Sequence, residues 1–141
     1  MAETTTRQRP GTMRLVDAIT GYRYPVMAIV SILHRASGVI MFVLMPFIIW
    51  MFDASVSSEI SYGQFTSVFA AGVGFLPGWF FKLNALALIW SYLQHFIAGL
   101  RHLWMDATHA VDLQFGRQSA FFSIVASLVL TLALGIKLFF F

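Results

Sequence analysis

The 141-residue sequence contains no cysteine. That excludes disulfides, thiolate-held iron–sulfur clusters, Cys-based structural zinc sites and c-type haem attachment. Charge is scarce as well. Asp, Glu, Lys and Arg make up 11% of the chain, against about 25% in a soluble domain. So few charges do not solvate the surface of a single core. The formal net charge is only +3, although the pI is near 9.7. Three surplus charges do not argue for nucleic-acid binding.

Hydrophobic residues account for 59% of the chain and aromatics for 16%. The mean hydropathy is +0.79. Disorder is excluded by this apolar content. An all-α integral membrane protein is the expectation, with the basic residues acting as topology signals. If the chain handles electrons, ligands other than thiolate must hold the cofactor. Histidine is the candidate, and there are four.

Residues 1–25 form a polar N-terminal arm with Arg7, Arg9, Arg14 and Arg23. Pro10, Gly11, Gly21 and Pro25 interrupt any long helix there. The apolar stretch that follows is too long for a signal-peptide core, and Glu3 and Asp17 count against a transit peptide.

Residues 26–141 read as a three-helix membrane domain, with spans at about 26–52, 79–105 and 119–141. Each exceeds the roughly 20 residues a helix needs to cross the hydrocarbon core. Bilayer physics demands internally satisfied backbone, so these are helices. Pro46 should kink the first or loosen one of its turns. Residues 53–78 read as a loop whose part 65–76 is apolar enough to lie on the membrane surface, and 106–118 read as a short connection. Gly72 and Gly74 lack the strand, helix and third glycine of a phosphate-binding loop.

Seven arginines (7, 9, 14, 23, 35, 101 and 117) fall on the side of the N-terminus and the second connection. Only Lys82 and Lys137 fall opposite. This bias places the N-terminus in the cytoplasm and the C-terminus outside.

Ionisable groups inside a span are functional candidates by default. In the second span Asn84, Ser91, His95, Gly99, His102 and Asp106 recur on one face at helical spacing. His95 is the deepest ionisable group, about 10–15 Å inside the helix end at 1.5 Å per residue. A neutral imidazole is a common haem ligand. Gly99, one turn on, would leave clearance for a flat macrocycle. The structural alternative is that His95 hydrogen-bonds a neighbouring helix and Gly99 permits close packing.

In the first span Ser31, Arg35 and Gly38 share a face, with His34 adjacent. A guanidinium there calls for an anion, and a hydroxyl one turn away suits a quinone carbonyl. Equally, Arg35 snorkels to the headgroups and Ser31 is incidental. By counting alone His34 fits a second axial ligand, a propionate partner or a water contact. Arg101, Asp106, His109 and Asp112 are expected to be solvated, where charge pairs contribute little.

Residues 31–38 read Ser-Ile-Leu-His-Arg-Ala-Ser-Gly, and residues 95–106 read His-Phe-Ile-Ala-Gly-Leu-Arg-His-Leu-Trp-Met-Asp. Together they resemble the cytochrome b membrane-anchor subunit of succinate dehydrogenase, respiratory complex II. Arg9-Pro10 and Tyr24-Pro25 resemble its bacterial branch. The resemblance covers residues 9–106, and the third span fits only generically. It implies that His95 is this chain's axial haem b ligand, the other coming from a smaller partner anchor in the same helix bundle. His34, Arg35 and His102 would lie near the haem propionates, and Ser31 and Arg35 would help form the ubiquinone site. FAD and the iron–sulfur clusters would sit in a flavoprotein subunit and an iron–sulfur subunit. The complex would work in electron transport and the tricarboxylic acid cycle, at the bacterial inner membrane. This chain would be one wall of an active site and not an enzyme alone.

Two other anchors fit the same spans: a haemless structural anchor, and the anchor of a quinol:fumarate reductase. A transporter or channel component would be expected to carry acidic residues in mid-span, and these spans carry none.

Overall fold

The computed structural model describes residues 11–12, 14, 16–17, 21, 23–109 and 112–140. Arg7, Arg9 and Pro10 of the arm lie outside the described residues. Five helices make up the described chain: α1 (Val26–Val43), α2 (Met45–Val56), α3 (Glu59–Ala71), α4 (Gly78–Thr108) and α5 (Leu113–Phe140). One isolated bridge pairs Val73 with Leu76. Three helices, α1, α4 and α5, are long and apolar enough to cross a membrane. An all-α integral membrane fold is what the composition predicts.

The stretch 26–52 is loosened at one turn, as Pro46 predicts, and this makes two helices of it. It is divided at Leu44, whose φ of −86° and ψ of 7° leave the helical region. Pro46, in the first turn of α2, is the physical cause. It has no N–H to continue the ladder, and its ring crowds the preceding turn.

The stretch 53–78 is not simply a loop, because α3 occupies half of it. Ser58 and Ser61 start this helix with a reciprocal capping box. The Ser58 hydroxyl accepts from the Ser61 N–H at 3.1 Å, and the Ser61 hydroxyl accepts from the Ser58 N–H at 3.0 Å. Two otherwise orphaned donors are satisfied in this way. A tight reversal then leads to α4, with Val73 and Leu76 exchanging backbone hydrogen bonds. Gly72 enters it at φ 87°, and a Cβ there would collide with the Leu76 carbonyl. At Gly78 a Cβ would lie 2.6 and 2.8 Å from the carbonyl oxygens of Phe69 and Ala70. The α3–α4 junction is therefore built on two glycines.

α4 and α5 are longer than expected. α4 stops where His109 takes a left-handed φ of 55°. α5 starts six residues before position 119, because the Asp112 carboxylate accepts from the N–H groups of Gln114 and Phe115, both at 3.1 Å. Asp112 is thus a helix cap.

α4 is the centre of the bundle and packs along both α1 and α5, which also touch each other. α2 and α3 pack on one another, and α3 leans on α4. Trp50 of α2 joins them, its ring 5.9 Å from Phe65 and 6.3 Å from Phe81. The apolar centre is small: Val30, Ala98 and Ala120 are fully buried, with Val26, Met27 and Ile124 packed around them. The buried face of α5 consists of Gly116, Ala120, Ser123, Ser127, Thr131 and Gly135. Small residues every third or fourth position let helix backbones approach closely in a membrane. Large apolar side chains such as Phe42, Phe122 and Leu132 point outward, as lipid contact requires.

Candidate functional site

The crossing of α1 over α4 brings three histidines together. The rings of His34 and His95 stack with centroids 4.0 Å apart and planes 19° from parallel. His102, two turns further along α4, meets His34 edge-on at 5.3 Å. His95 sits thirteen residues before the end of α4, about 20 Å at 1.5 Å per residue. All three are only partly buried.

The hydrogen bonding of His95 defines its tautomer. Its Nδ1 lies 2.9 Å from the backbone carbonyl oxygen of His34. A carbonyl only accepts, so Nδ1 carries the proton. Nε2 is then the nitrogen with the free lone pair. Among the described residues nothing hydrogen-bonds Nε2. That lone pair lies in the ring plane, whereas His34 covers the ring's face. An in-plane approach to Nε2 is therefore compatible with the stack, and an iron bound there would have an imidazole of the right tautomer.

The stack bears on two expectations. Rings on opposite sides of one iron stand edge-on with the metal between them. Two rings face to face at 4.0 Å do not bracket a metal, so His34 and His95 are not an axial pair in this arrangement. The clearance expected over Gly99 is also partly taken up, because the His34 Nε2 lies 3.5 Å from where a Gly99 Cβ would stand. Among the described residues no three or more His, Cys, Asp or Glu side chains, these histidines included, are placed to hold one metal ion together.

Ser31 and Arg35 lie one turn apart on α1. Ser31 is half-buried and Arg35 is exposed. Among the described residues the Arg35 guanidinium has no carboxylate or hydrogen-bond partner. The Ser31 hydroxyl is equally free. Helical serines and threonines elsewhere satisfy a carbonyl of their own helix, as Ser37, Ser67, Thr108, Ser123 and Thr131 do. Within the five helices only Ser31 and the buried Ser91 do not.

The polar stripe expected along α4 divides in the structure. Asn84 turns back to the Phe80 carbonyl of its own helix at 2.8 Å. Asp106 is exposed. Ser91, Gln94 and Arg101 belong to the buried row of α4.

Arg101, expected to be solvated, is 9% exposed. Its Nε donates to Ser119 Oγ at 2.9 Å, and its Nη2 donates to the Gly116 carbonyl at 3.0 Å. The long side chain reaches across to the first turns of α5, which sequence spacing along α4 does not reveal. Gln94 is fully buried in the same row. It accepts a 2.6 Å hydrogen bond from Ser127, while its Nε2 and the Ser91 hydroxyl are buried without a partner. The signal was present in α5 as small and hydroxyl residues at 116, 120, 123, 127, 131 and 135.

Three apolar helices with imidazoles gathered between the first and second spans define a multi-pass membrane subunit. The sequence profile of the succinate dehydrogenase/fumarate reductase transmembrane subunit matches residues 5–134. The chain belongs to that family. Its relatives include succinate dehydrogenase cytochrome b556 subunits from three organisms. That of Coxiella burnetii (strain RSA 493 / Nine Mile phase I) is 30% identical over 118 residues, 84% of this chain and 90% of the relative. That of Paracoccus denitrificans is 28% identical over 131 residues, 93% and 95% of the two chains. That of Rickettsia prowazekii (strain Madrid E) is 25% identical over 118 residues, 84% and 86%.

Proposed function

We propose that this chain is the cytochrome b anchor of a succinate:ubiquinone oxidoreductase, with His95 as its axial ligand to a haem b. The observation that carries the reading is the Nδ1–H of His95 given to the His34 carbonyl at 2.9 Å, which leaves Nε2 free inside a membrane span. The relatives' shared name, cytochrome b556 subunit, supports a b-type haem here. Such a haem supplies one-electron chemistry within the membrane.

The remaining roles are those the family resemblance implies, and the side chains suit them. His34 and His102 offer ring N–H groups, and Arg35 a fixed positive charge, to the haem propionates. The free Ser31 hydroxyl donates to a quinone carbonyl, and Arg35 stabilises negative charge developing on that oxygen during reduction. The other axial histidine comes from a second small anchor. FAD and iron–sulfur clusters belong to the flavoprotein and iron–sulfur subunits, docked on the cytoplasmic side of the bacterial inner membrane. The N-terminus faces that side and the C-terminus the periplasm, a reading the arginine bias supports.

The test is a reduced-minus-oxidised optical spectrum of membranes carrying the chain with its complex, wild type against His95→Ala at equal protein. Sharp b-type bands in the wild type that vanish in the variant support the assignment. An assembled, haem-supplied wild type without such bands leaves a haemless anchor as the function.

A further inference from the structure

His95 is held by the backbone of α1, and the turn that holds it is shaped by Ser37 and Gly38. The His34 carbonyl accepts from His95 Nδ1 at 2.9 Å and from Ser37 Oγ at 2.8 Å. The Ser37 oxygen also stands 3.4 Å from the same Nδ1, a second and longer acceptor for its proton. Ser37 is fully buried, so water does not compete for that hydroxyl.

Gly38 lies against the same Nδ1–Cε1 edge of the ring. A Cβ at position 38 would lie 3.1 Å from His95 Cε1 and 3.3 Å from Nδ1. Ordinary carbon contacts are about 3.5–4.0 Å. Any side chain at 38 therefore pushes the ring away from the carbonyl. By contrast a Cβ at Gly63 meets nothing within 4 Å.

We infer that Ser37 and Gly38 are positioning residues for His95, together fixing its tautomer, its ring plane and the strength of its Nδ1–H···O bond. The inference rests on His95 being a haem ligand. A ring nitrogen that gives its proton to a carbonyl makes the opposite nitrogen a stronger electron donor. A stronger donor favours ferric over ferrous iron, so the seat tunes the reduction potential. Neither residue touches the haem in this scheme. Both act through the imidazole.

The test compares the purified complex carrying wild type, Ser37→Ala, Gly38→Ala or Ser123→Ala. The readouts are haem content, the haem midpoint potential by redox titration, and the low-spin ferric signal by electron paramagnetic resonance. Gly38→Ala should keep its haem, raise the potential and shift the ferric signal, because the ring is pushed off its acceptor. Ser37→Ala should keep its haem and shift the ferric signal, because the ring loses one of its two acceptors. Ser123 is a buried serine on α5 that bonds the Ser119 carbonyl of its own helix at 2.8 Å. Its replacement should leave both readouts unchanged.

Wild-type potential and ferric signal in both the Ser37 and Gly38 variants overturn the seat, and do so with haem present and the proposed function intact. A wild-type complex that assembles without haem overturns both. If Gly38→Ala prevents assembly, Ser37→Ala decides alone: a shifted ferric signal upholds the seat and a wild-type signal overturns it.

Discussion

Gln94 Oε1 accepts a 2.6 Å hydrogen bond from Ser127 Oγ, and both residues are buried between α4 and α5. The same amide leaves its Nε2 without a partner. The pair is therefore half-satisfied, and its two members should respond differently to truncation.

Ser127→Ala strands both ends of the Gln94 amide. An unsatisfied buried polar group costs about 1–3 kcal/mol, so this variant should lower the unfolding midpoint of the complex in detergent. Gln94→Leu removes the amide altogether, and the single Ser127 hydroxyl proton then goes wholly to the Ile124 carbonyl, 2.9 Å away. It should be nearly neutral. A Gln94→Leu protein less stable than Ser127→Ala would contradict the account.

At the proposed quinone site, Arg35→Ala should lower quinone reduction by about two orders of magnitude, the scale of losing one charge-stabilising donor. Ser31→Ala should cost about tenfold, the scale of one net hydrogen bond. Succinate oxidation with an artificial soluble acceptor should be unchanged in both. Parallel loss of the two activities in a normally assembled complex would remove Ser31 and Arg35 from the quinone site.

Arg101 joins α4 to α5 through two different nitrogens. Lysine has one ammonium and not a fork. Arg101→Lys should therefore destabilise the pairing by about 1–3 kcal/mol and speed proteolysis in the α4–α5 connection. Unaltered cleavage would mean the fork is dispensable.

Two glycines give opposite expectations. Gly63→Ala places a methyl in open space on α3 and should stabilise by about 0.4–1 kcal/mol. Gly78→Ala meets two backbone carbonyls that cannot rotate away and should destabilise. Thermal unfolding of the two variants, side by side, checks both signs.

The three spans were legible because long apolar runs have one physical solution in a bilayer. His34, His95 and His102 stood out because imidazoles inside such runs are costly to bury. What the sequence did not reveal depends on how helices cross. The His34 carbonyl reaches His95 from 61 positions away, and no spacing along one helix encodes that meeting. Arg101 looked solvated because it is charged and near a helix end, yet its stem carries the guanidinium sideways to α5. α3 is hidden because serines and Gly63 weaken its pattern, and a Ser58–Ser61 cap lacks the Glu or Gln that usually marks a capping box.

The break at Leu44 also sets a length. α1 has 18 residues, about 27 Å at 1.5 Å per residue, close to the roughly 30 Å hydrocarbon thickness of a bilayer. An unbroken helix to Val56 would overshoot that thickness and would have to tilt steeply to hide its apolar ends. A helix that stops at Leu44 matches that thickness in length without such tilt. The depth of His34 and Ser37 is then governed by how α1 packs on α4, while the α2–α3 arm is held to the bundle through α3 and Trp50.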